Sequence, residues 1–151
     1  MSLVRDARLE ELPALAAACA EQPLLRRYGT QAEKLARQLA GGIARGEQVI
    51  VVEEEGAARG FAWFLTSGTF ASGGYLRLIS LAPGAESRGL GEALMDEVER
   101  RVTGPHMFLL VSQWNQGARA FYARRGYREC GALPGFVLED TEEIICWKRL
   151  R

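Results

Sequence analysis

The apolar run YLRLISLA (75–82) passes through PGAESRGLGEAL (83–94) into a stretch where Leu90, Leu94, Val98 and Val102 recur every four residues. A second apolar run, HMFLLVS (106–112), follows. A strand, an amphipathic helix and another strand in that order imply a parallel pair joined by a right-handed crossover. The turn between the first strand and the helix carries Gly89 and Gly91, one residue apart, at the point where free main-chain N–H groups point outward. That is where a backbone approaches a phosphate, and it narrows the question to which phosphate.

The rest of the chain surrounds this unit with antiparallel material. SLVR (2–5) reads as a short strand, and a helix is expected over roughly residues 9 to 20, with Pro13 near its first turn, where a missing N–H costs little. TQAE (30–33) has the form of a capping box, Thr30 to Glu33, opening a helix along Leu35, Leu39 and Ile43 that Gly41 and Gly42 weaken near its end. QVIVVEE and RGFAWFLTS around the polar EEGAA predict a hairpin, and GTFASGG reads as a flexible loop. Asn115 is placed to cap a helix that Gly126 closes in the left-handed conformation, and YREC and IICWKRL supply two last strands.

Length and charge restrict what such a fold does. With 151 residues, one domain burying about two-thirds of its unfolded surface is expected. Nineteen Lys and Arg balance nineteen Asp and Glu, so no basic field argues for a nucleic-acid backbone or an acidic membrane. Cys19, Cys130 and Cys146 fit neither a disulfide framework nor a metal-ligand spacing and read as reduced core thiols, with no metal expected. LPALAAACA is too short to span a bilayer and no signal-like segment opens the chain, so a cytoplasmic protein is expected.

Three phosphate cradles compete for the glycine loop. Gly84 and Gly89 have P-loop spacing, but Leu90 and Gly91 stand where Lys and Ser or Thr would hold the phosphate and magnesium. A dinucleotide fingerprint needs a third glycine where Leu94 stands. The third pattern is a strand ending in an apolar residue and Pro, then R-G-x-G at a helix start: Leu81, Pro83, Arg88, Gly89, Leu90, Gly91. It resembles motif A of the GNAT superfamily of acyl-CoA-dependent N-acetyltransferases. LLVSQWNQGARAFYARRGY is similar to the family's motif B, with Asn115, Ala118, Tyr122, Gly126 and Tyr127 at its spacing.

The resemblance implies an α/β (α+β) fold in a single domain, 1–151: a mixed, mostly antiparallel sheet of six to seven strands, one parallel β-α-β crossover and about four helices. It implies acetyl-CoA as cosubstrate, held by Leu81, Glu86, Ser87, Arg88, Gly89, Leu90, Gly91, Glu92, Asn115, Ala118 and Tyr122. Its partners would be acetyl-CoA and an amine, with no nucleic acid or membrane, and a homodimer is compatible with it. Glu86 departs from the family's usual Gln or Arg, and a carboxylate near a pyrophosphate is repulsive by about 1 kcal/mol at contact in water.

Acetyl transfer to an amine needs a free amine, a stabilised oxyanion and a protonated leaving thiol. A lysine-like amine, pKa about 10.4, is free base in fewer than about one molecule in a thousand at neutral pH. The resemblance puts the oxyanion at a main-chain N–H near Leu81 and makes Tyr122 the acid for the thiolate, uphill by about 2 kcal/mol on reference values. The competing role for Tyr122 is core packing beside Phe121. The base has no single candidate. Some members carry Glu where this chain has Tyr75 and Leu110, and the carboxylates on offer are Glu53, Glu54, Glu55, Glu139, Asp140, Glu142 and Glu143. His106 is expected at the far end of its strand, Cys146 as a buried thiol, and Arg77 as a snorkelling cation. Acceptor choice is expected to lie in AEQPLLRRYG, where Arg26 and Arg27 could hold a carboxylate, and in the acidic GALPGFVLEDTEE, which could attract an ammonium; exposed surface charge explains both equally well. Two functions follow: direct N-acetyl transfer to a primary amine of a small molecule or polypeptide N-terminus, or a non-catalytic acyl-CoA-binding module.

Overall fold

A computed structural model describes residues 2–151. Among them run seven strands in one sheet, ordered β1-β2-β3-β4-β5-β7-β6, and five α-helices. None of the helices is long and apolar enough to cross a membrane. The chain divides into two compact units, one ending at Leu65 and resuming over Leu78–Arg101, the other comprising Thr66–Arg77 and Val102–Arg151.

In the first unit β1 (Ser2–Asp6) runs antiparallel to β2 (Gln48–Glu54), which pairs with β3 (Ala57–Thr69). The expected hairpin turns through Glu55 and Gly56, both at positive φ (54° and 81°), as the two central residues of a type I′ turn require. Arg59 is the extra residue of a bulge, since Val52 pairs with Gly60 and Glu53 with Ala58. Alternation sends Val49, Val51, Phe61 and Trp63 into a core with Leu12, Leu15, Cys19, Leu25, Leu35 and Leu39. Each fully buried side chain of this size contributes roughly 1.5–3 kcal/mol. The helices supplying those leucines are α1 (Leu12–Cys19), α2 (Pro23–Arg27) and α3 (Ala32–Ala44). The long β-sheet-contacting helix α4 (Leu90–Arg101) buries Leu90, Leu94, Met95 and Val98 and lies against β1 and β2.

Several expectations are corrected here. The helix expected over 9–20 is a 3-10 turn, Leu9–Glu11, followed by α1, with Pro13 in the first turn as expected. α2 has no counterpart in the sequence reading. It also displaces the capping box: the Thr30 N–H donates to the Leu25 carbonyl (2.9 Å), closing α2, and Gln31 becomes the N-cap of α3 without a side-chain cap bond.

In the second unit GTFASGG is a tight turn and not a loop. β3 continues to Thr69 and β4 (Gly73–Leu81) starts at Gly73, with Phe70 and Ala71 at positive φ (49° and 55°) between them. The Phe70 ring sets its edge on Phe108 (5.1 Å), an apolar contact that compensates part of that backbone strain. Gly73–Leu76 of β4 runs parallel to His106–Leu109 of β5 (His106–Ser112), the crossover expected from sequence. A Cβ on Gly73 would meet the His106 carbonyl oxygen at 1.8 Å, so only glycine permits that pairing. β5 pairs antiparallel with β7 (Glu142–Arg149), and β7 with β6 (Arg128–Pro134). Helix α5 (Gln116–Arg124) joins β5 to β6.

Cys19 and Cys146 are buried, but Cys130 is exposed on β6, which corrects its reading as a core thiol. Burial pushes the Cys19 and Cys146 thiols up to about 11, and burial also raises the Tyr122 phenol. Groups whose pKa is raised on folding contribute stability that is full below their unfolded values and lost as pH climbs to the folded ones. The melting temperature is therefore expected to hold to about pH 8.5 and decline between about pH 9 and 11. Calorimetry across that range checks it. Cys146→Ala should flatten the decline, and an equally steep loss in that variant would contradict the assignment.

Candidate active site

The glycine loop is built by the first unit. Leu81 ends β4, and Ala82 donates its N–H to the Arg59 carbonyl at the bulge (2.7 Å), aiming the chain outward at Pro83. Ala85 is buried and donates back to the Ala82 carbonyl (3.0 Å), while Gly84, Ser87 and Gly89 take positive φ (86°, 63° and 78°). Leu90, 2 % exposed, anchors the start of α4, whose first intrahelical donor is the Ala93 N–H to the Gly89 carbonyl (3.0 Å). The N–H groups of Leu90 and Gly91 precede that bond, in the first turn, where a helix offers its donors no internal acceptor. A Cβ built on Gly84 or Gly89 meets nothing within 4 Å, so the outer face of the loop is open to a ligand. Backbone dipoles at such a helix start favour an anion. The loop therefore fits a pyrophosphate.

Its charged side chains are already engaged. Glu86 folds back on its own loop, accepting from the Gly84 N–H (2.9 Å) and from Gln22 Nε2 (2.7 Å). The Gln22 bond, foremost, holds the carboxyl below its ordinary value, with Gly84 and the Arg59 charge adding to it. Gln22 Nε2 also donates to the Leu81 carbonyl (2.6 Å), so the segment between α1 and α2 is tied to the start of the loop and to Glu86 within it. Arg88 pairs with Glu54, beside the β2–β3 turn. Ser87 and Glu92 are exposed. Sequence reasoning missed Gln22 and Arg59, whose buried Nε has no hydrogen-bond partner among the described residues. Neither carries a motif signal, because both matter only through tertiary contact.

In the second unit Asn115 caps α5 as expected, its Oδ1 accepting from the Ala118 N–H (3.1 Å), and Gly126 takes φ 95°. Tyr122 is 6 % exposed, with the Phe121 and Tyr127 rings edge-on at 5.3 and 5.7 Å. Burial, foremost, and then Cys146 push its phenol well above the ordinary value. It stays protonated at physiological pH but gives up that proton at greater cost than reference values imply.

The remaining candidates separate cleanly. His106 opens β5 and hydrogen-bonds Ser72, at the strand end opposite Ser112 and α5. Arg77 is exposed. Arg26 forms an exposed ion pair with Glu21. Glu53 is held by Arg5 (2.9 Å) and Glu54 by Arg88, while Glu55, Glu139, Asp140 and Glu142 are exposed. Glu143 differs from all of them: it is 6 % exposed and accepts from the Ser112 hydroxyl (3.3 Å).

Comparison with known proteins agrees with this geometry. The chain is 32% identical over 151 residues to the peptidyl-lysine N-acetyltransferase YiaC of Escherichia coli K12, covering 96% of this chain and 93% of that protein. A GNAT-family acetyltransferase of Bacillus cereus superposes with a TM-score of 0.81 at 18% identity over 99% of this chain and 97% of its own. The Salmonella typhimurium protein yncA, solved with its cofactor acetyl-CoA, superposes with a TM-score of 0.74 at 16% identity over 99% and 94%. The family model for the acetyltransferase (GNAT) family matches residues 10–127, a span that holds both the glycine loop and Tyr122. With motif, fold and relatives in agreement, the chain belongs to the GNAT family of acetyltransferases.

Proposed function

We propose that this protein is an N-acetyltransferase, a single working domain that moves the acetyl group of acetyl-CoA directly to a primary amine. The observation that carries the reading is the open main-chain face at Gly84 and Gly89, leading into the start of α4. The similarity to a peptidyl-lysine N-acetyltransferase favours a lysine side chain of a polypeptide among primary amines, beside the small molecules and N-termini expected from sequence.

Bound acetyl-CoA supplies an activated thioester. The N–H groups at Gly89, Leu90 and Gly91 would hold its pyrophosphate, with Ser87, Arg88 and Glu92 at the rim and Asn115 and Ala118 along the rest of the cofactor. A main-chain N–H near Leu81 would meet the negative charge that develops on the acetyl oxygen, a contact worth several kcal/mol in a site that excludes water. Tyr122 would donate a proton to the departing sulfur, which its protonated state at physiological pH allows. Free thiol release from acetyl-CoA across a panel of lysine peptides, N-terminal peptides and small amines tests the reading. Release that depends on an amine is the expected result.

Glu86 modifies cofactor affinity in this scheme. Its carboxylate sits on the Gly84 N–H, at the edge of a cradle meant for an anion. Glu86→Gln should tighten acetyl-CoA severalfold at low salt and less at high salt, because screening removes the repulsion. Titration calorimetry at two ionic strengths checks this. Equal affinity in both proteins at both salts would mean the carboxylate is remote from the cofactor.

A further inference from the structure

The glycine loop carries an anion of its own. Glu86 is exposed, yet both of its carboxylate oxygens are engaged: Oε1 accepts from Gln22 Nε2 (2.7 Å) and Oε2 from the Gly84 N–H (2.9 Å). The cation on the loop does not hold it, because Arg88 is drawn to Glu54 beside the β2–β3 turn. Of the groups that favour the ionised carboxylate, the Gln22 bond is foremost, and the Arg59 charge adds to it through space. Arg59 is the extra residue of the β3 bulge, and its buried Nε has no hydrogen-bond partner among the described residues.

Gln22 is presented by a fixed frame. It is the N-cap of α2 in an extended conformation (φ −64°, ψ 139°), and Pro23 after it restricts its backbone to that region. Its main-chain N–H donates to the Cys19 carbonyl (3.0 Å) and its carbonyl accepts from the Arg26 N–H (3.0 Å), so α1 and α2 hold it from either side. An amide nitrogen carries two N–H donors, and here one meets the Leu81 carbonyl (2.6 Å) while the other meets Glu86. Both neighbours are acceptors only, which fixes the end of the amide that faces them. The peptide between Leu81 and Ala82 is thereby gripped twice, at its carbonyl by Gln22 and at its N–H by the Arg59 carbonyl (2.7 Å).

We propose that Gln22 is a positioning residue for cofactor binding: it pins the Glu86 carboxylate against Gly84 and keeps that charge off the N–H groups of Leu90 and Gly91. The assignment rests on the cofactor reading of the glycine loop given above. Glu86 lies four residues before Leu90, and a carboxylate released from Gln22 is drawn to the same helix-start donors that attract a pyrophosphate. It would then compete with the cofactor as an internal anion. Gln22 acts here only through the charge of Glu86, so neutralising Glu86 makes it dispensable for binding. A residue that merely shaped the loop would matter equally with either side chain at position 86.

The test is a double-mutant cycle on wild type, Gln22→Met, Glu86→Gln and the double variant, reading the acetyl-CoA dissociation constant by titration calorimetry at low and high salt. Gln22→Met keeps the length of the side chain and removes its donors. It should weaken binding about fivefold at low salt, the size of one charge repulsion at contact distance in water, and less at high salt. In the Glu86→Gln background the same change should shift the constant by less than about twofold at either salt. A Gln22→Met protein within about twofold of wild type at low salt overturns the proposal, as does an equal loss in both backgrounds. Tighter binding in Gln22→Met overturns it as well, since Gln22 would then be holding the carboxylate in the cofactor's place. If Gln22→Met does not fold, Gln22→Asn, too short to reach both acceptors, takes its place with the same criteria. Wild-type protein that does not bind acetyl-CoA overturns the cofactor reading of the loop, and this assignment with it.

Discussion

Tyr122→Phe should lower kcat by about 10²–10⁴-fold while leaving the dissociation constant for acetyl-CoA near the wild-type value, the usual loss when a positioned acid is removed. The substitution deletes one hydroxyl and keeps the ring that packs between Phe121 and Tyr127. Packing and folding should therefore change little. The phenol is raised chiefly by burial, so passing its proton to a thiolate is more uphill than reference values imply, and the proposed role requires the transfer to be coupled to C–S cleavage. That predicts a loss confined to the chemical step. The measurement is kcat with an accepted amine beside the acetyl-CoA dissociation constant. A variant within about threefold of wild type would return Tyr122 to the core, with water protonating the thiolate.

Gly89→Asp should abolish the rise in melting temperature that acetyl-CoA produces. At φ 78° any side chain adds strain, and here the Cβ would project into the open space that backbone approach requires. The carboxylate adds negative charge where a pyrophosphate binds. Ligand at about a hundred times its dissociation constant stabilises a protein by about 2.7 kcal/mol, a readily measured shift that the variant should lose. Gly46→Asp is the control. It has φ 89° and equally open space at the end of α3, so it carries similar backbone strain away from the loop. It should melt lower than wild type yet keep the acetyl-CoA shift. Loss of the shift in both would trace the effect to folding, and retention in both would remove the glycine loop from cofactor binding.

Where local chemistry decided the structure, the sequence was readable. Glu55-Gly56 made a hairpin turn because two adjacent positive φ values suit it, and Asn115 capped α5 because its side-chain oxygen reaches the Ala118 N–H. The parallel crossover followed from the order of its three elements. Where long-range contacts decided, local signals misled. Thr30 had a capping-box sequence, but its N–H was taken by Leu25 at the end of a helix with no periodicity to announce it. GTFASGG looked flexible by composition, yet the Phe70 contact with Phe108 and the close approach of Gly73 to His106 make it a tight turn. Of the proposed site residues, those of the glycine loop and Tyr122 were visible because they lie on two motifs. Gln22 was not, because nothing in residues 20–29 foretells a bond to Leu81, 59 positions away. Glu143 was visible only as one of several acidic residues. The β5–β7 register, which turns it inward against Ser112, distinguishes it from Glu142 beside it.

The central claim is amine acetylation, and the most direct test follows both products at once. The protein is incubated with acetyl-CoA and a lysine-containing peptide, and free thiol and acetylated peptide are measured in the same reaction. The account predicts that both appear in equal amounts and that both depend on the peptide. Stabilisation by acetyl-CoA with neither product across the amine panel would contradict it and make the protein an acyl-CoA-binding module. Thiol release without an acetylated amine would contradict it equally, because water would then be the acceptor.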